Sequence, residues 1–471
     1  MSSAAHADIH PSNETPAVPP AAPVGWRRRG PAGAADGRTR LIIGAVLAGY
    51  LVLQLAFMAG RHAVPFSDMT GYDERALLLL HQHTFQTGTA YGATYHGPGY
   101  ILFLAAIYGV AGHHWEAVYA VQSVLATLTL LGIYLLARRL FSARAAFISL
   151  ALGLLYLPFL AYAHVLMPDT LFIALLVFST LAFAVGVSNG SRRWLTASGI
   201  LCAFAALTRS EALLLPVVFF LWIGLSRERW HVFRRLRSGL ILFVVAMALA
   251  LAPWTIHNYL DQKEFIPGDT VGGLNLLIGN HAGADGTFDE APVWSNPAVQ
   301  KALSEGKREA ALDDVLRGQA LAWITAHPAG FLRLTGWRML LFLGAPKDWL
   351  VDGMGSNTLG ALSGFRDYYG WALMFFALVG GVAGLRRRRE TLLPFLCFVY
   401  FLAVVSVFYF QTRYRLPAIP FVIMMAAYGL SAFSGRLRPR VKRRPSANPA
   451  PEACPPRAGL CTPCDPTGCR G

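Results

Sequence analysis

Apolar residues occur along this chain in blocks rather than on one face of a helix. Most blocks are about 17–25 residues long, the length that an α-helix needs to cross the hydrocarbon core of a bilayer. Ten such blocks are found at roughly 41–60, 116–137, 145–163, 169–187, 194–208, 212–225, 238–256, 368–385, 391–410 and 416–433. The pattern therefore predicts an all-α polytopic membrane protein with a bundle of about ten transmembrane helices.

Basic residues at the ends of the blocks predict the orientation of the bundle. If each block crosses once, six arginine-rich clusters fall on one side: residues 27–40, 138–144, 192–193, 227–237, 386–389 and 436–444. Lys and Arg are enriched in cytoplasmic loops, so we expect both termini in the cytoplasm. Arginines directly before the first block are typical of an uncleaved signal anchor, and we expect no cleaved signal peptide.

Two shorter apolar segments span 97–112 and 330–345. If either crossed the membrane alone, the arginine-rich clusters after it would fall on the opposite side. We predict that both are interfacial or re-entrant helices on the outer face. Two large outer loops then result, 61–115 and 257–367. Within the second loop, the pattern predicts an amphipathic helix over 297–327 and glycine-rich turns over 268–296.

Composition narrows the class further. The 471 residues are 55% hydrophobic and 14% charged, whereas soluble domains carry about 25% charged residues. A net charge of +15 is compatible with nucleic-acid binding, but no soluble basic module is left once the apolar blocks are removed. We therefore exclude nucleic acid as a partner and expect membrane lipids instead.

Two terminal segments flank a membrane domain that we place at residues 41–433. Residues 1–40, rich in Ala and Pro, are predicted to be a disordered cytoplasmic tail. Residues 434–471 are predicted to be a basic cytoplasmic tail rich in Pro and Cys. Cys461 and Cys464 have the spacing of zinc or redox sites, but a disordered tail with reduced thiols is favoured, because a metal site needs folded support.

Asp68 is the first of four candidate positions on the outer face, where ionisable residues at span ends are functional candidates. It precedes a helical pattern over residues 73–85, with Asp73 and Glu74 as expected first-turn acids. Spacing alone favours a helix N-cap for Asp68, since an Asp in that place satisfies free backbone N–H groups.

The second and third positions are His96 and Asp169. His96 stands before Gly97, Pro98 and Gly99, a turn that lets the backbone approach a ligand closely. The pattern is equally compatible with His96 as a phosphate contact and with His96 as a surface histidine. Asp169 begins the fourth span, where it fits either an N-cap or a charge at the membrane edge that faces protein or water.

The fourth position is the segment with Arg413, Tyr414 and Arg415, which lies on the outer face against the positive-inside bias. Arginine binds phosphate through paired N–H donors, so a specific anion explains the placement. Snorkelling arginines beside an interfacial tyrosine are the alternative. We favour the anion.

Seven short segments occur over residues 41–433. Each is unspecific alone, but their order along the chain is the same as in a known superfamily. They are Asp68-Met69-Thr70-Gly71-Tyr72 with Ala76, His96-Gly97-Pro98-Gly99-Tyr100 running on to 105, Pro168-Asp169-Thr170-Leu171-Phe172, and the segments 206–211, 253–259, 272–280 and 413–417. Together they resemble the GT-C superfamily of glycosyltransferases that use polyprenyl-phosphate sugars. This superfamily includes the protein O-mannosyltransferases and the bacterial enzyme that adds aminoarabinose to lipid A.

Three residues depart from the superfamily's pattern. Met69 stands where several members have Glu, His257 where Arg is usual, and His96 where Lys or Arg often precedes the Pro. The two histidines reduce the permanent positive charge near a phosphate, because neutral imidazole is common at pH 7. Arg413 and Arg415 are then expected to supply more of that charge.

The resemblance implies an inverting transfer of a sugar from a polyprenyl-phosphate donor to a hydroxyl of a lipid, glycan or protein acceptor. Asp68 would be the general base and Asp169 a second acidic residue near the acceptor. The expected contacts to the donor phosphate come from His96, Arg209, His257, Arg413, Tyr414 and Arg415. The site would face the periplasm of a bacterial inner membrane.

A non-catalytic assembly protein, in which Asp68 would be dispensable, stays open at this point, and so do two other function classes. One is a lipid or glycan transporter, for which internal repeats and charges at mid-membrane would be expected. The other is a glycan polymerase or ligase, which shares a lipid-linked donor but is not expected to have the first-loop Asp motif. The sequence indicates no cofactor. A divalent metal is compatible with it, but no group of residues has the spacing of metal ligands.

Overall fold

The computed structural model describes residues 36–59, 65–86, 92–225, 229–344, 363–387 and 391–436. Within them the chain is helical and forms no β-strand, and Thr287 and Phe410 make an isolated β-bridge. The predicted tails lie almost wholly outside the described residues, so their boundaries stay predictions.

The first half of the chain forms a series of helices with short connections. They are α1 (Gly37–Ala59), α2 (Asp68–Gln82), α3 (Pro98–Ala111), α4 (Trp115–Leu140), α5 (Ala143–Leu154), α6 (Leu157–Tyr162), α7 (Asp169–Asn189), α8 (Arg192–Thr208), a 3₁₀ turn (Ser210–Leu214), α9 (Leu215–Gly224) and α10 (Arg229–Gln262).

The second half contains the outer-loop helices and the last part of the bundle. They are α11 (Gly272–Gly279), α12 (Ala291–Trp294), α13 (Pro297–Ser304), α14 (Glu309–Ala326), α15 (Pro328–Leu343), α16 (Ser363–Arg387), α17 (Leu392–Val407), a 3₁₀ turn (Thr412–Ala418) and α18 (Ile419–Arg436).

Six helical segments among the described residues are long and apolar enough to cross a membrane: α1, α4, α7, most of α10, most of α16, and Thr412–Ala432. The protein is therefore a multi-pass membrane protein. The predicted number of ten spans is not confirmed, because four of the predicted spans are shorter than a full span: α5, α8, α17 and the helical stretch Ser210–Gly224.

The apolar block 145–163 does not form one helix as its pattern predicts. Helix α5 ends at Leu154, α6 restarts at Leu157, and irregular chain follows up to Pro168. Pro158 stands in the first turn of α6, where its missing N–H leaves no bond unmade, and a proline there cannot continue a helix from the preceding turn. The block is thus a broken element within the bundle.

Buried polar side chains from other helices satisfy the backbone of this broken element. The side-chain amide of Gln122 in α4 donates to the carbonyls of Ala163 at 3.1 Å and Val165 at 2.8 Å, and its oxygen accepts from the Tyr100 hydroxyl at 2.9 Å. The ring Nε2 of His164 lies 3.0 Å from the carbonyl oxygen of Gln54 in α1. Irregular backbone is tolerated in a membrane only when protein groups pair it in this way.

The outer loop after α10 packs into a compact helical layer with its own hydrophobic cluster. The turns predicted for 268–296 are partly wrong, because Gly272–Gly279 is helical, and the amphipathic helix predicted for 297–327 is split at Gly306, which has φ 75°. Leu274 and Leu277 of α11 are buried with Leu312 and Leu316 of α14.

Gly273 lets these helices approach closely. A Cβ at Gly273 would lie 2.2 Å from the backbone oxygen of Asp313 in α14, whereas a Cβ at Gly272 would meet nothing within 4 Å. The Gly273 N–H also donates to the Asp313 carboxylate at 2.5 Å. Gly273 thus serves helix packing rather than a turn, whereas Gly283 and Gly286 have positive φ in non-helical chain, as the turn prediction expects.

The two apolar segments predicted to lie at the outer interface form α3 and α15, close to their expected bounds. In α15, Arg338 is fully buried and donates to the carbonyls of Gly279 and of Ser406, the latter at 3.0 Å. These bonds join the outer layer to the end of α17. The interfacial position of both helices stays a prediction.

Replacing Gly273 by Ala should loosen the contact between α11 and α14. The added methyl group has no room against the α14 backbone, and overpacking of this kind costs about 1–3 kcal/mol. We expect a lower thermal unfolding transition for Gly273→Ala in detergent. The neighbouring Gly272→Ala variant is the matched control and should unfold at or above the wild-type temperature, and an equal loss in both would contradict the packing argument.

Candidate active site

Asp68 is the first residue of α2, which begins five positions before the predicted start at residue 73. The N-cap position belongs to Ser67, with φ 53°, and its side chain makes no capping hydrogen bond. The interpretation of Asp68 as the cap of a helix from Asp73 is therefore wrong. Asp73, expected in the first turn, lies further inside α2 and accepts hydrogen bonds from Tyr108 at 2.5 Å.

The carboxylate of Asp68 pairs with a residue from the other end of the chain. Its Oδ2 accepts a hydrogen bond from Nη1 of Arg413 at 2.9 Å. Arg413 lies in the 3₁₀ turn that precedes α18, and the same Nη1 lies 3.6 Å from the sulfur of Met167. The pair therefore joins α2, the chain before α7 and the start of the last span.

The Arg413 guanidinium has one buried N–H group, at Nε, with no acceptor among the described residues. Its guanidinium carbon lies 5.2 Å from the centre of the Tyr414 ring. A buried guanidinium N–H without a partner is costly and suits an anionic ligand.

A second guanidinium lies against the same tyrosine. The Cζ atom of Arg209 is 5.0 Å from the Tyr414 ring centre. Its Nη1 donates to Asp169 at 2.7 Å and its Nη2 donates to Glu211 at 2.8 Å. Arg209 is thus shared by two carboxylates and approaches Arg413 through the ring of Tyr414.

Asp169 is fully buried at the start of α7, where Pro168 rather than Asp169 occupies the N-cap position. The N-cap interpretation of Asp169 is therefore wrong. One carboxylate oxygen binds Arg209, and the other, Oδ2, has no hydrogen-bond partner among the described residues. A buried carboxylate needs such a cation, because its desolvation is expensive when unpaired.

His96 contributes a neutral ring to the site. It stacks on Tyr72 with 4.4 Å between ring centres and 24° between planes, and its Nδ1 lies 3.4 Å from the Tyr72 hydroxyl. Burial, followed by the positive charge of Arg75, lowers the pKa of the His96 imidazole to about 3, although Asp68 opposes the shift. His96 therefore adds no positive charge at neutral pH.

Asp68 is ionised at neutral pH. Burial alone would raise the pKa of its carboxyl group, but the positive charges around it, chiefly that of Arg413, bring the pKa below its ordinary value. Its side chain is still 41% exposed, while that of Arg413 is 15% exposed. The carboxylate is therefore accessible to a ligand from one side and bound to a guanidinium on the other.

Two residues expected at the phosphate do not contact this cluster in the described part of the chain. Arg415 is buried and donates from Nη1 to the carbonyl of Gly344. His257 lies near the end of α10 with its ring stacked 5.2 Å from that of Trp254. From their positions in the sequence, Arg415 and His257 could not be distinguished from Arg413 as candidate phosphate contacts.

Sequence reasoning missed Glu211 and Arg75 as parts of the site. Glu211 stands two residues after Arg209 in a short turn between apolar helices, and charged residues at span ends would have been a reason to include it. Arg75 lies on α2, is buried, and donates to the carbonyl of Gly92 at 2.6 Å. Among the described residues, no group of three or more His, Cys, Asp or Glu side chains is arranged to hold a metal ion.

The depressed pKa of His96 gives a pH-dependent stability that can be measured. The unfolded chain takes up a proton at this histidine below about pH 6.5, and the folded chain does so only near pH 3. Stability therefore falls as pH decreases through this window, by at most about 2 kcal/mol between pH 6.5 and pH 5. We expect the His96→Phe variant, which keeps an aromatic ring against Tyr72, to lose less stability than wild type on going from pH 7 to pH 5.

Thermal unfolding in detergent at the two pH values would test this expectation. His81, an exposed histidine on α2, supplies the control variant His81→Phe, which should keep the wild-type pH dependence. If wild type and His96→Phe lost the same stability, His96 would be protonated in the folded protein.

Comparisons with known proteins were made for the sequence and for the fold. Residues 95–257 match the family model described as dolichyl-phosphate-mannose-protein mannosyltransferase. Comparison with curated proteins gives no match.

Solved structures with a similar fold include the Archaeoglobus fulgidus oligosaccharyltransferase. Its apo form has a TM-score of 0.50 at 14% identity, over 83% of this chain and 51% of that chain. Its complex with Zn and sulfate has a TM-score of 0.50 at 14% identity, over 82% and 49%. ArnT from Cupriavidus metallidurans bound to undecaprenyl phosphate has a TM-score of 0.40 at 18% identity, over 85% and 79%.

The chain spans about half the length of the oligosaccharyltransferase chains that it matches. Even so, the family model and the fold agree with each other and with the seven sequence segments. They confirm the resemblance: the fold of the chain is similar to that of the Archaeoglobus fulgidus oligosaccharyltransferase, and its residues 95–257 match the family model described as dolichyl-phosphate-mannose-protein mannosyltransferase.

Proposed function

We propose that the protein is an inverting glycosyltransferase that moves a sugar from a polyprenyl-phosphate donor to a hydroxyl group of a lipid, glycan or protein. One observation carries the proposal: the ionised Asp68 carboxylate lies 2.9 Å from the partly buried Arg413 guanidinium. A base for the acceptor and a cation for the leaving phosphate are thus adjacent. The match to a family named for a lipid-phosphate sugar donor supports this choice.

Asp68 is assigned as the general base. Its side chain is partly exposed, so an acceptor hydroxyl can reach the carboxylate from the side opposite Arg413. As the hydroxyl oxygen forms its bond to the anomeric carbon, its proton becomes acidic and passes to Asp68. The bond from that carbon to the phosphate oxygen breaks on the opposite face, and the phosphate leaves with the electron pair.

Arg413 is assigned to the donor phosphate. A phosphate leaving group already carries negative charge, so a fixed cation can stabilise it without a general acid. The buried Nε–H of Arg413 lacks an acceptor among the described residues and is available to a phosphate oxygen. His96 is neutral and is assigned to hold Tyr72 rather than to neutralise charge.

Arg209 and Asp169 are assigned as positioning residues. The guanidinium of Arg209 is already bound by Asp169 and Glu211, so it is not free to bind a phosphate with the same groups. Its position against Tyr414 fixes the ring on which Arg413 also lies. Asp169 is fully buried and acts through Arg209 rather than by touching the acceptor.

The site is assigned to the extracytoplasmic face of a bacterial inner membrane. Asp169 begins α7, while the other end of α7 contacts the basic cluster, since Arg139 donates to Ser188 at 3.0 Å. The cluster around Asp68 therefore lies at the end of α7 opposite these arginines. Arginine-rich ends are retained in the cytoplasm, which supports this orientation.

The Asp68→Asn variant should abolish transfer. Loss of a positioned general base costs about 10²–10⁴-fold in rate, and the amide keeps the shape of the side chain. Membranes from cells with wild type, variant or no protein would be extracted, and the glycolipids and envelope glycans analysed by mass spectrometry for one added sugar mass.

Glu74→Gln is the matched control, because Glu74 is an exposed carboxylate on the same helix. It should leave the product unchanged at equal protein level. If Asp68→Asn formed as much product as wild type, Asp68 would only begin α2, and a transport or polymerase function would move ahead.

Arg413 and Arg415 should behave differently although they are two residues apart. Arg413→Gln should lower kcat/KM for the donor about 10- to 100-fold, the effect of losing a charge-assisted hydrogen bond of about 1.5–3 kcal/mol. Arg415→Gln should lower the thermal transition, since Arg415 donates to the Gly344 carbonyl, while transfer per folded molecule persists. Donor titrations with both purified variants would show the difference, and a larger loss of kcat/KM in Arg415→Gln would reverse the assignment.

A further inference from the structure

A cavity of about 610 Å³ opens at the basic end of the bundle, opposite Asp68. It lies between α1, α4 and α7, with Trp194 of α8 at its edge. Its wall is apolar and includes Ile43, Leu131 and Leu181. The volume falls in the range of about 300–1,000 Å³ that is typical of ligand pockets.

Three arginines line the mouth of this cavity: Arg40 in the first turn of α1 and Arg138 and Arg139 in the last turn of α4. Arg139 is held by neutral acceptors, with its Nε donating to Ser188 Oγ at 3.0 Å and its Nη2 donating to Asn189. These contacts orient the guanidinium without cancelling its charge. Arg40 is exposed to the surroundings.

We propose that this cavity is a binding site for an anionic phospholipid of the leaflet at the basic end of the bundle. The phosphate headgroup would pair with Arg40 and Arg139, and one acyl chain would lie along the apolar wall. Basic pockets between transmembrane helices bind anionic lipid headgroups in this way. A soluble anion would gain nothing from the apolar wall, and a zwitterionic lipid brings no net charge to the arginines.

Trp194 fits the same occupant. It is 48% exposed and begins α8 at the level of the arginines. Tryptophan prefers the membrane interface, where its ring contacts the upper acyl chain and its N–H reaches the polar part of a lipid. The site therefore combines cations, an interfacial aromatic ring and an apolar wall.

Gly44 gives a way to close the cavity without disturbing the fold. It lines the cavity from α1, and a Cβ built on it would meet no atom within 4 Å. A larger side chain at this position would enter the open space. Gly44→Leu therefore removes room for the acyl chain while the arginines stay in place.

The test is lipid retention by the purified full-length protein, measured by native mass spectrometry after equilibration with phosphatidylglycerol and phosphatidylcholine in equal amounts. We expect wild type to retain phosphatidylglycerol in preference to phosphatidylcholine. The double variant Arg40→Gln with Arg139→Gln should lower phosphatidylglycerol binding by about tenfold, given the attraction of each basic side chain to an anionic lipid.

The matched control is Arg144→Gln with Arg237→Gln, which removes two exposed arginines at the same end but outside the cavity. This control should retain wild-type binding, whereas Gly44→Leu should lose bound lipid with all its arginines intact. Thermal unfolding of each variant confirms that it is folded.

Three outcomes would overturn the proposal. An equal loss in the control double variant would mean that only the overall surface charge attracts lipid. Unchanged binding by Gly44→Leu would mean that no chain enters the cavity. Stronger retention of an added polyprenyl phosphate than of phosphatidylglycerol would assign the cavity to a different lipid class. None of these lipid-binding measurements requires the protein to transfer a sugar.

Discussion

The arrangement of the candidate site depends on one cation, Arg209, which is held between Asp169 and Glu211. Removing charges from water is expensive, and the mutual attraction of the ions offsets this cost only when the geometry is good and the remaining hydrogen bonds are made. Arg209 binds the two carboxylates at 2.7 Å and 2.8 Å, and Oδ2 of Asp169 has no partner among the described residues. Arg209 thereby fixes the start of α7 against the turn that follows α8.

Contacts spread from this cation to the rest of the site. The backbone oxygen of Glu211 accepts a hydrogen bond from the Tyr400 hydroxyl of α17. Arg209 and Arg413 both lie near the ring of Tyr414, and Tyr414 shares a 2.6 Å hydrogen bond with Tyr409. Four separate parts of the chain are thus held in register around two guanidinium groups, and the Asp68 carboxylate is placed by the second of them. The active-site geometry is in this sense an extension of a structural ion network.

The sequence predicted the helical class and many helix bounds because the bilayer imposes a simple requirement, a long apolar stretch for each crossing. The predicted span 169–187 agrees with α7, and the predicted span 194–208 agrees with α8, within two residues at each end. The prediction was wrong for the block 145–163, where hydropathy reports apolar character but not the break before Pro158. It was also wrong for Gly272 and Gly273, because glycines that permit close helix packing look like turn glycines in a sequence.

The candidate site was predictable in its residue types and much less so in its pairings. Asp68 and Arg413 are separated by 345 positions, and no local pattern indicates that they meet. The family resemblance singled out Asp68, His96 and Arg413, but it could not tell that Arg415 binds a backbone carbonyl instead. Only the folded chain shows that Arg413 pairs with Asp68, whereas Arg415 donates to the carbonyl of Gly344.

The broken element between α5 and α7 has a consequence for biosynthesis. Its carbonyls at Ala163 and Val165 accept hydrogen bonds from the Gln122 side chain, and His164 contacts the backbone carbonyl of Gln54. Both glutamines belong to helices that are synthesised earlier, so these two partners are already in the membrane when this segment leaves the ribosome. The segment can therefore exchange water for protein partners as it enters the bilayer, and the bundle can assemble in the order in which it is translated.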